Sequence, residues 1–98
     1  GVPVEQIDEG IKHGVRKVNI DTDLRLASTG AIRRFLAENP SEFDPRKYLK
    51  ASIKAMEEIC VARYEAFGTA GNASKMTALS LDAMFDRYQS GELAAKIK

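Results

Sequence analysis

The chain has 98 residues, which is the length of a single domain. Its hydrophobic fraction of 44% and charged fraction of 30% are those of an ordinary globular protein, and a net charge of +1 gives no argument for nucleic-acid or membrane binding. No apolar run approaches the roughly 20 residues of a membrane span, no signal peptide is visible, and the single cysteine excludes an internal disulfide, so we expect a cytoplasmic protein.

The first predicted helix is short. Val4, Ile7 and Ile11 recur at helical spacing, and Pro3 suits the first helical position. Gly14 is a natural stop for this helix, because glycine adopts the backbone conformation that closes a helix at little cost.

The segment from Gly14 to Asp23 contains the one convincing strand of the sequence. Apolar and polar residues alternate through it in the order Lys17, Val18, Asn19, Ile20, Asp21. One face of the strand is therefore apolar, and the other carries an amine, an amide and a carboxylate. A lone strand cannot satisfy its own backbone donors and acceptors. We therefore expect the chain to be the tail end of a larger α/β protein; the alternative is that the strand pairs with another chain.

Three further helices are predicted. The second begins at Leu24, after the capping residues Thr22 and Asp23, with a bend or break expected at residues 28–30 and an end at Asn39-Pro40. Its predicted buried positions are Leu24, Ala27, Ala31, Phe35 and Leu36.

The third helix is the longest and runs from Asp44-Pro45 to about Gly68. Its predicted apolar stripe is Leu49, Ile53, Met56, Cys60, Tyr64 and Phe67. A loop over residues 69–77 leads to a last helix, capped by Ser80 and closed by Gly91, and residues 92–98 are expected to be frayed or docked on a partner.

Asn19, Asp21 and Thr22 are the strongest candidates for function. They lie where a strand runs into a helix, and in parallel sheets and barrels active sites gather at the carboxyl ends of strands. Helix N-termini also bind phosphate. The structural alternative is that Asp21 and Thr22 only cap the helix and Asn19 only bonds to nearby backbone. The triplet Asp21 to Asp23 also resembles the acidic DxD motif of metal-dependent transferases.

Three other residues have both a functional and a structural interpretation. His13 is the only histidine and cannot alone make a zinc site, so a structural or exposed role is favoured. Cys60 lies on an apolar stripe, where it acts as a small hydrophobe. Arg46 lies in the first turn of a helix, where it is either a solvated surface charge or an anion ligand assisted by the helix N-terminus.

These motifs occur together in one known family. The run from Lys12 to Asp23 (KHGVRKVNIDTD), with Leu24 to Ala27 and the later run Asp44 to Leu49 (DPRKYL), closely resembles class II, metal-dependent fructose-1,6-bisphosphate aldolases. The resemblance extends to about Ala73 and is closest to the subgroup associated with the Calvin cycle. It implies that residues 1–98 are the C-terminal part of one (β/α)8 TIM-barrel domain: the seventh helix, the eighth strand, the eighth helix and the C-terminal helices. As an isolated chain it is expected to be mainly helical.

The resemblance also implies an activity and a set of roles. The family cleaves fructose 1,6-bisphosphate reversibly into dihydroxyacetone phosphate and glyceraldehyde 3-phosphate, with a zinc ion that stabilises the enediolate. By the family pattern, Asn19 contacts the reacting end of dihydroxyacetone phosphate, and Asp21 and Thr22 bind its phosphate. Arg46 reaches the neighbouring subunit's site and holds the other phosphate, so at least a homodimer is implied.

The zinc-binding histidines and the carboxylate acid and base of the family belong to earlier strands, so this chain is expected to be inactive alone. We interpret it as the C-terminal portion of a class II aldolase. The alternatives are a helical interaction module without a catalytic role and a fragment of a DxD-type transferase.

Overall fold

The structure, a computed structural model, describes residues 1–94 and is built from helices. Helix α1 spans Val4–Lys12, α2 spans Thr22–Glu38, α3 spans Pro45–Ala66 and α4 spans Leu81–Gln89. A single 3₁₀ turn, Ala73–Lys75, interrupts the connection between α3 and α4. Across residues 1–94 no β-strand is present, so the expectation of a mainly helical chain is confirmed.

The predicted strand between α1 and α2 is not formed. In the described part of the chain, the backbone groups of residues 16–20 make no hydrogen bond to other backbone groups. The physical reason is that a strand exists only when a second strand pairs with it, and this chain supplies none. The predicted alternation is nevertheless present, since Val18 and Ile20 are half-buried while Lys17, Asn19 and Asp21 are exposed.

Helices α2 and α3 form an antiparallel hairpin that carries most of the tertiary packing. In its middle, the hydroxyls of Ser28 and Ser52 lie 2.6 Å apart, and Ser52 is the one buried residue among those described, with 5% of its surface exposed. At the open end of the hairpin, away from the connection between α2 and α3, Arg63 donates to Asp23 Oδ2 over 3.3 Å. This second contact ties the first turn of α2 to the last turn of α3.

The helix boundaries follow the capping chemistry, with two corrections. Helix α2 begins at Thr22 with Asp21 in the capping position, two residues earlier than predicted, and runs through residues 28–30 without a break. The predicted buried positions of α2 are all half-buried. Asp44 caps α3 by accepting from the Arg46 N–H, and Ser80 caps α4 by accepting from the Ala83 N–H, as predicted.

The predicted apolar stripe of α3 is only partly covered. Met56, Cys60 and Phe67 are half-buried, but Leu49, Ile53 and Tyr64 are exposed. Ser52 and Ala55 are covered in their place, because the contact with α2 is made by the neighbouring face of the helix. Small residues such as Ser52 let two helices approach closely, which is consistent with packing through this face of α3.

The chain is much more open than a compact domain of its size. Its accessible surface is 8436 Å², against about 5,500 Å² for a compact monomer of 10.8 kDa. Its radius of gyration is 19.7 Å, against about 13 Å for a compact chain of this length. These helices therefore leave much of their apolar surface exposed.

The C-terminal part of the described chain exposes several large apolar side chains. Met76, Leu81 and Phe85 each leave more than half of their surface open. The expectation for residues 92–98 is only partly addressed, because residues 95–98 lie outside the described range. Among residues 1–94 no helix is long and apolar enough to cross a membrane.

The connection between α2 and α3 is fixed by Glu42. Its carboxylate accepts from the Asp44 N–H over 3.1 Å and from the Lys47 ammonium over 2.9 Å. Hydrogen bonding to Lys47, and then to the backbone N–H of Asp44, holds the pKa of Glu42 below its usual value, and Glu42 raises the pKa of Lys47. The pair contributes stability above the unfolded pKa of Glu, about 4.3, and below that of Lys, about 10.4.

We expect this connection to be insensitive to pH between about 5 and 10 and to loosen as the pH falls through the lowered pKa of Glu42. A titration of the Glu42 carboxyl by ¹³C NMR, assigned with Glu42→Gln, measures this pKa directly. Lys47→Met should move it up towards the usual value, whereas Lys50→Met, one turn further along the same helix, should not. An unshifted titration in the unaltered chain, with no response to Lys47→Met, would contradict the assignment.

Candidate functional site

The residues predicted to bind ligand fall into two groups in the structure. Asn19, Asp21 and Thr22, here called the junction cluster, lie together where the chain enters α2. Arg46 lies in the first turn of α3, and Arg63, which contacts the start of α2, lies in the last turn. At about 1.5 Å per residue along the 22-residue α3, Arg46 is roughly 25 Å from the junction cluster. The two groups therefore cannot hold the same small ligand within one chain.

The junction cluster lines a surface groove of about 570 Å³. Lys17 lies beside it, with its ammonium 2.7 Å from Asn19 Oδ1. This contact occupies the acceptor of the Asn19 amide. Among the described residues nothing accepts from the Asn19 amide N–H groups, which are therefore available to an oxyanion.

The N-terminus of α2 has free amide donors. Asp21 occupies the capping position, but its side chain makes no capping hydrogen bond. Its carboxylate instead accepts from Arg25 over 2.7 Å. In the described part of the chain, the N–H groups of Thr22, Asp23 and Leu24 make no hydrogen bond, which is the arrangement that binds anions at helix N-termini.

Arg63 is a groove residue that the sequence analysis did not identify. It lines the groove beside the junction cluster and pairs with Asp23. No local pattern could reveal this pair, because its members lie on different helices. Lys17 was marked by the two-residue period, which puts it on the face that carries Asn19 and Asp21.

The Arg46 side chain is paired with Asp44, the residue that caps α3. Its guanidinium makes three contacts of 2.7 to 3.0 Å with the Asp44 carboxylate, while its side chain is 89% exposed. Arg46, through its side chain and then its backbone N–H, lowers the pKa of Asp44, and Asp44 raises the pKa of Arg46. The arrangement is a fixed ion pair that presents a cation to solvent.

The remaining titratable candidates do not form a metal site. His13 Nε2 lies 3.0 Å from Glu9 Oε1 at the exposed end of α1, and Cys60 is half-buried on α3. Within residues 1–94 no three His, Cys, Asp or Glu side chains are grouped so that they could hold a metal ion. The described residues therefore do not fit the zinc centre that the resemblance implies.

Comparison with known proteins agrees with the motif resemblance. Residues 1–72 match the family "Fructose-bisphosphate aldolase class-II". The chain is 74% identical over 97 residues to a fructose-bisphosphate aldolase of Pseudomonas aeruginosa, covering 99% of this chain and 27% of that protein. It is 61% identical over 95 residues to a fructose-bisphosphate aldolase of Nostoc sp., covering 97% of this chain and 26% of that protein.

A third relative is similar in length to this chain. Fructose-bisphosphate aldolase 2 of Rhodobacter capsulatus is 59% identical over 96 residues, covering 98% of this chain and 84% of that sequence. The chain spans about a quarter of the length of the first two relatives. The profile match covers the junction cluster and Arg46, and the relatives are similar over nearly the whole chain. We conclude that the chain belongs to the class II fructose-bisphosphate aldolase family.

Proposed function

We propose that this chain is the C-terminal portion of a class II fructose-bisphosphate aldolase with a (β/α)8 barrel, to which it supplies phosphate and enediolate contacts. The whole enzyme would cleave fructose 1,6-bisphosphate reversibly into dihydroxyacetone phosphate and glyceraldehyde 3-phosphate. The observation that carries the proposal is the uncapped N-terminus of α2 directly beside the Asn19 amide, in a chain of this family. Family membership disfavours both the interaction module and the DxD-type transferase.

The free amides of α2 support a phosphate site. At the start of α2, three N–H groups make no hydrogen bond within residues 1–94, and Thr22 adds a hydroxyl to the same turn. Helix N-termini bind phosphate through such donors, and in barrels phosphate sites recur after strands seven and eight. In this proposal α2 begins directly after the eighth strand, so its first turn is the phosphate-binding element.

We propose that Asp21 contributes to phosphate binding indirectly. A carboxylate repels phosphate, but here it is paired with Arg25 at 2.7 Å. Asp21 occupies the capping position of α2, but this pairing engages its carboxylate, which makes no hydrogen bond to an amide of the first turn. Asp21 therefore supports phosphate binding by leaving the amides of α2 free.

Asn19 is suited to the enediolate. Lys17 binds its carbonyl oxygen, and no residue among 1–94 accepts from its amide N–H groups, so these can donate to an oxyanion. An enediolate carries more negative charge on oxygen than the ketone from which it forms, so these donors stabilise the intermediate more than the substrate.

Arg46 is suited to a neighbouring subunit's site. It lies at the end of the hairpin remote from the junction cluster, and Phe43 beside it is 87% exposed. Arginine and aromatic residues are enriched in the buried centres of interfaces. In the proposed homo-oligomer, this corner of one subunit holds the second phosphate of the sugar bisphosphate in the next.

The zinc ion expected for the family is assigned to parts of the enzyme other than this chain, since the described residues do not fit it. A cytoplasmic location and a place in the Calvin-cycle subgroup complete the proposal. The second of these is supported by the 61% identity to the aldolase of the cyanobacterium Nostoc.

We expect Asn19→Ala in the full-length enzyme to lower kcat by about 100-fold or more, because one oxyanion donor is typically worth that much. The KM for fructose 1,6-bisphosphate should change little, since the contact strengthens only as charge develops. Steady-state kinetics in the cleavage direction measure both. The matched control is Asn39→Ala, at the far end of α2, which should leave kcat within about twofold. A raised KM with unchanged kcat would contradict the enediolate role.

We expect Arg46→Ala to raise the KM for the bisphosphate by about 10- to 100-fold, the usual effect of losing a charge-assisted hydrogen bond. The KM for dihydroxyacetone phosphate in the condensation direction should stay within about twofold, because that substrate lacks the second phosphate. Arg34→Ala, an exposed arginine of α2 without an ion pair among residues 1–94, is the control. Equal losses for both substrates would rule out the assignment of Arg46 to the second phosphate.

A further inference from the structure

We propose that Asp44 is the positioning residue for Arg46. It binds the edge of the guanidinium formed by Nε and Nη2 and leaves the edge formed by Nη1 and Nη2 free to bind the second phosphate. The inference rests on the proposed function of Arg46 and assigns a role to a residue that the family resemblance left without one.

The contacts between the two side chains all lie on one edge. Arg46 Nε is 3.0 Å from both Asp44 oxygens, and Nη2 is 2.7 Å from Oδ2. Within residues 1–94, Nη1 makes no hydrogen bond. A guanidinium has five N–H donors in a planar fork, so the edge formed by Nη1 and the second N–H of Nη2 remains open for a phosphate.

Asp44 is itself held in place by hydrogen bonds, so it can hold the Arg46 guanidinium in one orientation. Its Oδ1 accepts from the Arg46 backbone N–H over 3.0 Å as the cap of α3. Its own N–H donates to Glu42, whose second oxygen pairs with Lys47. Its side chain is 21% exposed, against 89% for Arg46. A nearly covered carboxylate therefore holds an otherwise free cation in one orientation.

The four charged side chains at the start of α3 carry no net charge, so the orientation of their N–H donors matters more for phosphate binding than overall electrostatic attraction. Glu42 and Asp44 balance Arg46 and Lys47, so the four side chains sum to zero. The helix N-terminus disfavours a cation in its first turn, and the carboxylate of Asp44 offsets this. An anion approaching the corner is thus recognised through oriented N–H donors rather than through excess positive charge.

A competing interpretation of this contact predicts the opposite effect of Asp44 on phosphate binding. If Asp44 merely competed with phosphate for Arg46, removing its charge would strengthen phosphate binding. If Asp44 orients Arg46, removing the charge weakens binding, because the long side chain then has to be ordered by the phosphate itself. The direction of the change in KM therefore decides between them.

The test uses Asp44→Asn and Asp44→Ser in the full-length enzyme. Both residues keep a side-chain acceptor and remain good helix caps, so the start of α3 is preserved. We expect the KM for fructose 1,6-bisphosphate to rise about tenfold, with kcat and the KM for fructose 1-phosphate nearly unchanged. The matched control is Asp82→Asn in the first turn of α4, which should change neither constant. An unchanged or lowered KM for the bisphosphate in the Asp44 variants would overturn the proposal.

A double variant separates this proposal from the function on which it rests. If Asp44 acts through Arg46, Asp44→Asn combined with Arg46→Ala should be no worse than Arg46→Ala alone. Fully additive effects would overturn the positioning role. If Arg46→Ala raises the KM for the bisphosphate and Asp44→Asn does not, Arg46 keeps its role and the positioning role of Asp44 is rejected. If Arg46→Ala has no effect, the assignment of Arg46 to phosphate fails, and the positioning role of Asp44 fails with it.

Discussion

The unpaired backbone of residues 16–20 is the constraint on which the rest of the structure depends. Amide and carbonyl groups in this segment have no backbone partners among the described residues, although its side chains alternate as they do in a strand. Val18 and Ile20 turn towards the helices, which leaves Asn19 and Asp21 on the open side. In the proposed barrel, strands on both sides would supply the missing hydrogen bonds, and the open side would become the interior. The segment is thus already arranged for a sheet that it cannot make alone.

The hairpin of α2 and α3 determines how far apart the functional groups lie. Its open end holds the start of α2 through Asp23 and Arg63, and its closed end holds Arg46 through Asp44. About 25 Å of helix separates the two ends, so one fructose bisphosphate cannot touch both within a chain. This distance is the physical reason for proposing that each site draws on two subunits. A single rigid element would then link two active sites of an oligomer.

Local chemistry made much of this structure predictable from the sequence. The caps at Asp44 and Ser80 and the stop at Gly14 were read from single residues, and the structure confirms the two caps. The prediction of a strand between α1 and α2 was wrong for this chain, because residues 1–94 contain no second strand that could pair with it. The start of α2 was misplaced by two residues, because Asp21 takes the capping position although its carboxylate binds Arg25 and not the amides of the first turn. The pair of Asp23 and Arg63 depends on how two helices dock, and no spacing rule reports that. The roles of Asn19, Asp21, Thr22 and Arg46 come from the family resemblance and stay predictions.

The central claim is that the two ends of the hairpin serve different active sites, and subunit mixing tests it most directly. Asn19→Ala and Arg46→Ala subunits of the full-length enzyme would be unfolded together and reassembled. If sites are shared in a dimer, each mixed dimer contains one site with both residues intact, and about a quarter of the wild-type kcat/KM should return. Activity no greater than the average of the two separate variants would contradict the account, because it would mean that Asn19 and Arg46 serve the same subunit's site.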